Sequence, residues 1–213
     1  MNITDNLRLI QNSLPKQLIL VAVSKTKPTS DILEAYAEGQ RIFGENKALE
    51  LVEKAEKLPK DIQWHMIGHL QRNKVKYIAP FVSLIHGVDS LKLLKEINRR
   101  AAQNSRVIDC LLQVRIARES TKFGFNSSEI SQVILDASVF QNTRIIGLMG
   151  MATLTDNTQQ IEQEFKSLKT VFNSVRNDTI TTLSMGMSGD YELAIQQGST
   201  MVRIGSAIFG NRN

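Results

Sequence analysis

Apolar runs rich in β-branched residues alternate along the chain with stretches in which apolar residues recur every three or four positions. The first pattern is typical of buried strands and the second of amphipathic helices. The pattern predicts eight strands, at residues 18–25, 41–46, 63–68, 84–89, 107–116, 144–152, 181–187 and 201–207. Helices are predicted between successive strands, and residues 2–13 can form an extra helix before the first strand.

The predicted strands are hydrophobic throughout rather than on alternate residues, which indicates parallel strands covered by helices. Eight such units predict an α/β fold of the closed (β/α)8 TIM-barrel type. An open doubly wound sheet is the alternative, but no Gly-x-Gly-x-x-Gly segment follows the first strand. The eighth unit has no long final helix, so the N-terminal helix or a short terminal turn must cover it. Because no low-complexity linker interrupts the chain, we expect residues 1–213 to form one domain.

Composition adds mainly exclusions. The longest apolar run has six residues, whereas a membrane helix needs about 20, and the N-terminus has no secretory signal pattern. One cysteine, Cys110, excludes an intrachain disulfide and fits a reducing compartment, so we expect a cytoplasmic protein in which Cys110 is a core residue. The net charge is +5, but the basic residues are interspersed with acidic ones, which favours solvated helix faces over nucleic-acid binding.

Functional groups of a (β/α)8 barrel gather where its strands end, and Lys25 ends the first predicted strand. A solubilising charge is the simpler interpretation. An amine in a mostly apolar barrel mouth is desolvated, however, which lowers its pKa and makes it a nucleophile towards carbonyl groups. Lys25 is therefore a candidate for Schiff-base formation.

The loops after the seventh and eighth strands contain Ser184, Ser188, Gly205 and Ser206. Backbone N–H groups and hydroxyls in such loops favour anions, and this position is where the fold most often binds phosphate. Ser188 could instead cap the following helix. A lysine and a phosphate site together suit a phosphorylated carbonyl compound, either a sugar phosphate, as in Schiff-base aldolases, or pyridoxal 5′-phosphate.

Five segments carry a resemblance to a known family: AVSKTKP (22–28), FGEN (43–46), WHMIGHLQRNK (64–74), GLMGM (147–151) and LSMGMSGDYELAIQQGSTMVRIGSAIFG (183–210). The chain resembles the pyridoxal phosphate homeostasis proteins, which are relatives of the N-terminal barrel of alanine racemases. The resemblance implies pyridoxal 5′-phosphate bound as a Schiff base to Lys25. It also implies a set of further cofactor-binding residues: Asn46 and His65 along the ring and its 3-oxygen, Arg203 beside the pyridine nitrogen, and Ser184, Ser188, Gly205 and Ser206 around the phosphate.

Two histidines and one arginine need separate interpretation. A hydrogen-bonded core histidine is the alternative for His65. His65 and His69 are four residues apart across a strand end, where that spacing does not make a metal pair, so we expect no metal. Arg115 stands where an asparagine is common in the family, and it would change the charge of the pocket if it faced the mouth.

The resemblance implies a monomer that holds pyridoxal 5′-phosphate, delivers it to apo-enzymes and maintains intracellular vitamin B6 and amino-acid or keto-acid balance. We expect no catalytic residues and no membrane or nucleic-acid partner. Alanine racemases use a tyrosine base from a second domain, and we expect none here because the sequence ends at Asn213, with the eighth unit. A pyridoxal phosphate enzyme of low activity, such as an amino-acid racemase, is the main alternative, and a Schiff-base aldolase remains another.

Overall fold

The computed structural model describes residues 2–117 and 123–210. Its centre is a closed barrel of eight parallel strands in which each strand pairs with the next and β1 pairs with β8. The strands are β1 Ile19–Val23, β2 Ile42–Glu45, β3 Gln63–Met66, β4 Leu84–Val88, β5 Ile108–Gln113, β6 Thr143–Met149, β7 Thr182–Met187 and β8 Met201–Ile204. The predicted (β/α)8 barrel is confirmed, whereas the single-domain interpretation of residues 1–213 stays a prediction.

Helices cover the outside of the barrel, one or more after each strand. They are α1 Ile3–Ser13, α2 Thr29–Ala37, α3 Ala48–Lys57, α4 Val75–Ile78, α5 Leu91–Gln103, α6 Ile130–Ala137, α7 Thr158–Val175, α8 Tyr191–Gln196 and α9 Ser206–Phe209, with 3₁₀ turns at Arg72–Lys74 and Ser127–Glu129. Several strands end earlier than predicted. β1 stops at Val23 and β8 at Ile204, because the following residues leave the hydrogen-bonded ladder to form the loops of the mouth.

The eighth unit is covered both by a short terminal helix and by the extra N-terminal helix, the two possibilities predicted from the sequence. Helix α9 is one turn long, and α1 packs against it and against α2. The side-chain amide of Asn6 donates to the carbonyl of Ile208 at 3.0 Å, and Leu7 on the same helix is fully buried. The extra N-terminal helix therefore covers apolar strand surface, as the longer helices do in the other units.

The barrel interior changes character along its axis. A small apolar cluster fills one part of it, formed by Val21, Leu84, Leu111, Met149 and Met201. The larger core lies between strands and helices and includes Cys110, whose burial raises the pKa of its thiol. Within the described residues, no helix is both long and apolar enough to cross a bilayer.

Candidate functional site

A cavity of about 530 Å³ opens at the end of the barrel where the strands finish, which we call the mouth. Six of the eight residues predicted to bind a cofactor line it: Lys25, Asn46, Ser188, Arg203, Gly205 and Ser206. A larger hollow of about 820 Å³ lies beside α5, and it shares His69 with the mouth. The mouth is the better candidate because it combines residues from the ends of β1, β2, β7 and β8, the part of the fold that carries chemistry in other (β/α)8 proteins.

The turn that carries Lys25 has an uncommon backbone. It runs from Ser24 to Lys27 and is closed by a 3.0 Å hydrogen bond from the Lys27 N–H group to the Ser24 carbonyl. Thr26 has a φ of 66°, in the left-handed region that β-branched residues rarely adopt. Lys25 is half-buried and faces the cavity, while the Lys27 ammonium donates to the Phe209 carbonyl at 2.7 Å.

Buried charges stand behind this turn. The carboxylate of Glu45 is fully buried and accepts from the Ser24 hydroxyl at 2.6 Å and from the Lys54 ammonium at 2.8 Å. Lys54 also donates to the Ser24 carbonyl at 2.8 Å and to Glu50 at 2.7 Å. Glu50 in turn accepts from the Thr26 N–H group at 2.6 Å. Burial raises the pKa of Glu45 although Lys54 and Ser24 act against that shift.

Beside this turn, where β7 and β8 end, one hydroxyl and two backbone amides meet. The hydroxyl oxygen of Ser188 accepts from the N–H groups of Gly205 at 3.1 Å and Ala207 at 3.5 Å, so it does not cap α8. Its loop is shaped by Gly186, whose φ is +98° and whose missing Cβ would lie 2.7 Å from the Cβ of Ala194. The exposed Ser206 begins α9 at the same edge of the cavity.

Four polar side chains form a chain of hydrogen bonds inside the barrel. Arg203 donates through Nη1 to the Ser184 oxygen at 2.5 Å and through Nη2 to the Gly150 carbonyl at 3.1 Å. The Ser184 oxygen lies 3.2 Å from His86 Nδ1, and His86 Nε2 lies 3.0 Å from His65 Nδ1. Each of the four side chains is at least 96% buried.

The direction of this chain follows from its first member, because arginine only donates. Burial lowers the pKa of Arg203 to about 10, which still leaves it protonated at neutral pH. Ser184 accepts from Arg203, and no other acceptor for its proton occurs among the described residues, so it donates to His86 Nδ1. Desolvation holds the pKa of His86 well below its usual value and that of His65 at about 3, so both rings are neutral and His86 Nε2 donates to His65.

Two predicted site residues therefore lie elsewhere than on the cavity wall. Ser184, expected among the phosphate contacts, is fully buried and its hydroxyl is used by Arg203 and His86. His65 takes the alternative position of a hydrogen-bonded core histidine. His86, the link between them, was not singled out from the sequence, although a histidine within the apolar run LIHGV is a signal that could have found it.

Asn46 follows Glu45 at the end of β2, and its side-chain Oδ1 is buried without a hydrogen-bond partner among the described residues. A Cβ on Gly68 would lie 2.5 Å from the Asn46 carbonyl oxygen, so the glycine allows β3 to pack closely against Asn46. Arg115 turns aside: its guanidinium donates to the Asn126 side chain, and Arg115 is not on the wall of the mouth. His69 Nδ1 lies 2.9 Å from Asp89, and its ring stacks on Phe123 at 3.8 Å.

Comparisons with known proteins identify the family. Residues 1–213 match the family described as alanine racemase, N-terminal domain. A pyridoxal phosphate homeostasis protein from Haemophilus influenzae is 37% identical, with 100% of this chain and 97% of that protein covered. A protein of the same name from Vibrio alginolyticus is 40% identical over 93% of this chain and 88% of its own. The chain belongs to the pyridoxal phosphate homeostasis protein family.

Solved structures agree with this membership. PipY from Synechococcus elongatus PCC7942, a structure without pyridoxal phosphate, matches with a TM-score of 0.93 and 34% identity over 98% of this chain and all of its own. PipY with pyridoxal phosphate bound matches with a TM-score of 0.89 at 33% identity. The alanine racemase of E. faecalis, at 17% identity and a TM-score of 0.79, shares the barrel, which is 58% of that chain. The pyridoxal phosphate homeostasis family and the racemases therefore share this fold.

Proposed function

We propose that this chain binds pyridoxal 5′-phosphate in the mouth through Lys25 and serves to hold the cofactor and buffer its free level. The observation that carries the proposal is the convergence of an amine, a buried arginine and a serine-lined anion site on one cavity. The curated relatives named pyridoxal phosphate homeostasis protein and the PipY structure with pyridoxal phosphate bound support it.

The residues of the mouth fit this cofactor. Its aldehyde supplies a carbonyl that condenses with amines, which matches Lys25. The buried Oδ1 of Asn46 has no partner among the described residues, and it can accept a hydrogen bond from the 3-hydroxyl group of the ring. A Cβ on Gly205 would meet Val23 at 3.2 Å, and the Gly205 N–H group donates to the Ser188 hydroxyl at the edge of the cavity. The aldehyde and the 3-hydroxyl group of the cofactor thus have counterparts in the mouth.

Lys25 is proposed as the attachment residue. Its neutral amine attacks the aldehyde carbon, a C=N bond replaces the C=O bond, and the oxygen leaves as water, so no oxidant or reductant is needed. Val23, Ile67 and Met151 also line the cavity and make the surroundings of the amine less polar.

Arg203 is proposed to face the pyridine nitrogen. Two of its N–H groups are bound to Ser184 and Gly150, which orients the guanidinium and leaves further donors for the cavity. A ring nitrogen that meets an obligate donor stays unprotonated, and an unprotonated ring withdraws electrons less strongly. This arrangement restrains carbanion chemistry.

The phosphate is proposed to bind at Ser188, Gly205 and Ser206. Ser188 bridges the amides of Gly205 and Ala207, so these N–H groups already point at an oxygen atom. A phosphate oxygen can take that position, and the Ser188 hydroxyl can then turn to donate to it. Ser184 is proposed to act indirectly, since it holds Arg203 rather than reaching the cavity.

A further feature supports a carrier rather than a racemase. The described residues that line the mouth include no tyrosine, the residue type that alanine racemases use as a second base, and the one histidine among them, His69, is held by Asp89. Lys25 is half-buried rather than sealed, so an incoming amine or apo-enzyme can reach it. Delivery to apo-enzymes and a monomeric, cytoplasmic protein complete the proposal.

The test is to add pyridoxal 5′-phosphate, reduce with borohydride and map the modified lysine. We expect the label on Lys25 and none in Lys25→Ala, which should fold normally. Lys27→Ala is the matched control, because Lys27 lines the same cavity two residues away, and it should keep the label on Lys25. A label on Lys27 in the wild type, or no uptake at all, would overturn the proposal. Turnover of D- or L-alanine above the rate of free cofactor would favour an enzyme instead.

A further inference from the structure

Both residues that flank Lys25 are bound by side chains of the next strand–helix unit. The Ser24 hydroxyl and carbonyl are held by Glu45 and Lys54, at 2.6 Å and 2.8 Å. The Thr26 N–H group is held by Glu50, at 2.6 Å. These three side chains, Glu45, Glu50 and Lys54, are called the clasp below.

Burying the charged groups of the clasp costs free energy, which indicates that the clasp has a role beyond packing. Glu45 is fully buried and Lys54 is 6% exposed, and burying charged groups is unfavourable unless each is paired and hydrogen-bonded. Lys54 meets this condition with three acceptors, one of which is the backbone carbonyl of Ser24 rather than a carboxylate. A buried ion pair could exist without touching this turn, whereas here its members end on the turn.

The backbone that the clasp holds is strained. Thr26 lies at a φ of 66°, where a Cβ crowds the neighbouring carbonyl and a β-branched residue is a genuine outlier. Such a conformation persists only where the surroundings over-determine it. The Glu50 carboxylate supplies one such contact, since it accepts from the N–H group of the strained residue itself.

We propose that the clasp fixes the backbone on both sides of Lys25 and thereby holds its amine over the cavity, which makes Glu45, Glu50 and Lys54 positioning residues for cofactor attachment. This inference rests on the proposed function in one respect, the identity of Lys25 as the attachment residue. The part that concerns the turn itself is independent of any ligand.

The decisive experiment combines Glu50→Ala with Thr26→Gly. Glu50→Ala releases the Thr26 N–H group, and we expect about tenfold faster amide hydrogen exchange in residues 24–27 of the unliganded protein. Retention of pyridoxal 5′-phosphate, followed by the visible absorbance of the Lys25 adduct, should weaken about tenfold. Adding Thr26→Gly should restore a large part of that retention, because glycine adopts a positive φ without a Cβ penalty.

The rescue separates positioning from general stability. A Glu50→Ala effect that arose only from a weaker α3 would be unchanged by Thr26→Gly. Glu53→Ala is the matched control, since Glu53 is exposed on the same helix and carries the same charge, and it should leave exchange and retention unchanged. If Glu50→Ala does not fold, Glu50→Gln keeps an oxygen acceptor but no charge and should show about a threefold effect.

The outcomes keep the two proposals apart. Wild-type exchange in residues 24–27 of Glu50→Ala, or of Glu50→Gln where only that variant folds, overturns the clasp whatever the cofactor does. Absence of rescue by Thr26→Gly also overturns it. Failure of the wild type to attach pyridoxal 5′-phosphate at Lys25 overturns the proposed function, and the exchange experiment still decides whether the clasp fixes the turn.

Discussion

Two parts of the mouth, here called the lysine side and the serine side, are held in place by different kinds of group. The lysine side is the Ser24–Lys27 turn, which buried charged side chains hold from behind. The serine side is formed by Ser188, Gly205 and Ser206, where one hydroxyl and backbone amides meet at the edge of the cavity. The buried charges of the lysine side are stable only when each is paired. On the serine side, the backbone amides can donate to a phosphate oxygen in place of the Ser188 hydroxyl. The comparison indicates that the lysine side contributes to the stability of the fold, whereas the serine side is the part that we propose binds a ligand.

Lys54→Met should break the lysine side with the largest effect on folding. It leaves the fully buried Glu45 without its cation, and removing one partner of a buried pair typically costs about 3–5 kcal/mol. We expect the free energy of unfolding in urea to fall by that amount. The double variant Glu45→Gln with Lys54→Met removes both charges and should recover much of the loss. A cost below about 1 kcal/mol in the single variant would show that the lysine side is not structural.

The histidine chain lies below both sides and predicts a pH dependence. The folded-state pKa values of His86 and His65 are lowered by burial, so below about pH 6.5 the unfolded chain binds protons that the folded protein does not. Their contribution to stability is complete above that pH and is lost as the pH falls. His65 should contribute a loss of about 1–2 kcal/mol between pH 6.5 and 5, and His86 should add a loss in the same direction.

The variant His86→Gln isolates the contribution of one histidine to the pH dependence of stability. Its amide oxygen can accept from Ser184 and its amide nitrogen can donate to His65, so the chain of hydrogen bonds is kept while one titrating group is removed. The wild type should lose stability on acidification more steeply than the variant. Glu45, whose pKa is raised, acts in the opposite direction in both proteins and cancels from the difference. Parallel curves of urea midpoint against pH would contradict the assignment of neutral buried histidines.

Ser188→Ala should change binding rather than folding. The free energy of unfolding should fall by less than about 1 kcal/mol, because the amides of Gly205 and Ala207 lie at the edge of the cavity and water can replace the hydroxyl. The dissociation constant for pyridoxal 5′-phosphate should rise about tenfold, since one hydrogen bond to a charged phosphate is lost. Ser174→Ala, an exposed serine at the end of α7, is the control for both measurements. A large loss of stability would mean that the serine side, like the lysine side, is needed for folding.

The smallest effect is expected from Arg115→Ala. The guanidinium binds Asn126 and is absent from the wall of the mouth, so neither side of the comparison depends on it. Stability should change by less than about 0.5 kcal/mol. Equilibrium titration should give the wild-type affinity for pyridoxal 5′-phosphate, and an altered affinity would mean that the charge of Arg115 reaches the cavity.

Much of the barrel could be predicted, because short continuous apolar runs indicate buried strands and their repetition eight times indicates a closed barrel. Lys25 and Ser188 were recognisable for a similar reason, since polar residues that follow such runs collect at the mouth. Depth was harder to infer. Alternation along a strand tells which face a residue occupies but not how far along the barrel axis it lies, so Ser184 and Ser188 look alike in sequence while the first is buried and the second lines the cavity.

The clasp was missed for another reason. Glu45 stands inside a motif that the sequence marks out, but its partner Lys54 lies nine residues on, in a helix that reads as an ordinary charged surface helix. Only the packing of α3 against the barrel brings the ammonium back to the turn after β1. Long-range contacts of this kind leave no periodic signal in a single sequence.

The direction of the hydrogen bonds that begin at Arg203 has a consequence for proton movement. A proton can travel along such a chain only if every member reverses its donor and acceptor, and a guanidinium has no lone pair with which to accept one. The chain through Ser184, His86 and His65 is therefore an insulator, although it is made of groups that conduct protons elsewhere. Whatever lies against Arg203 in the mouth is isolated by it from the interior as a source of protons.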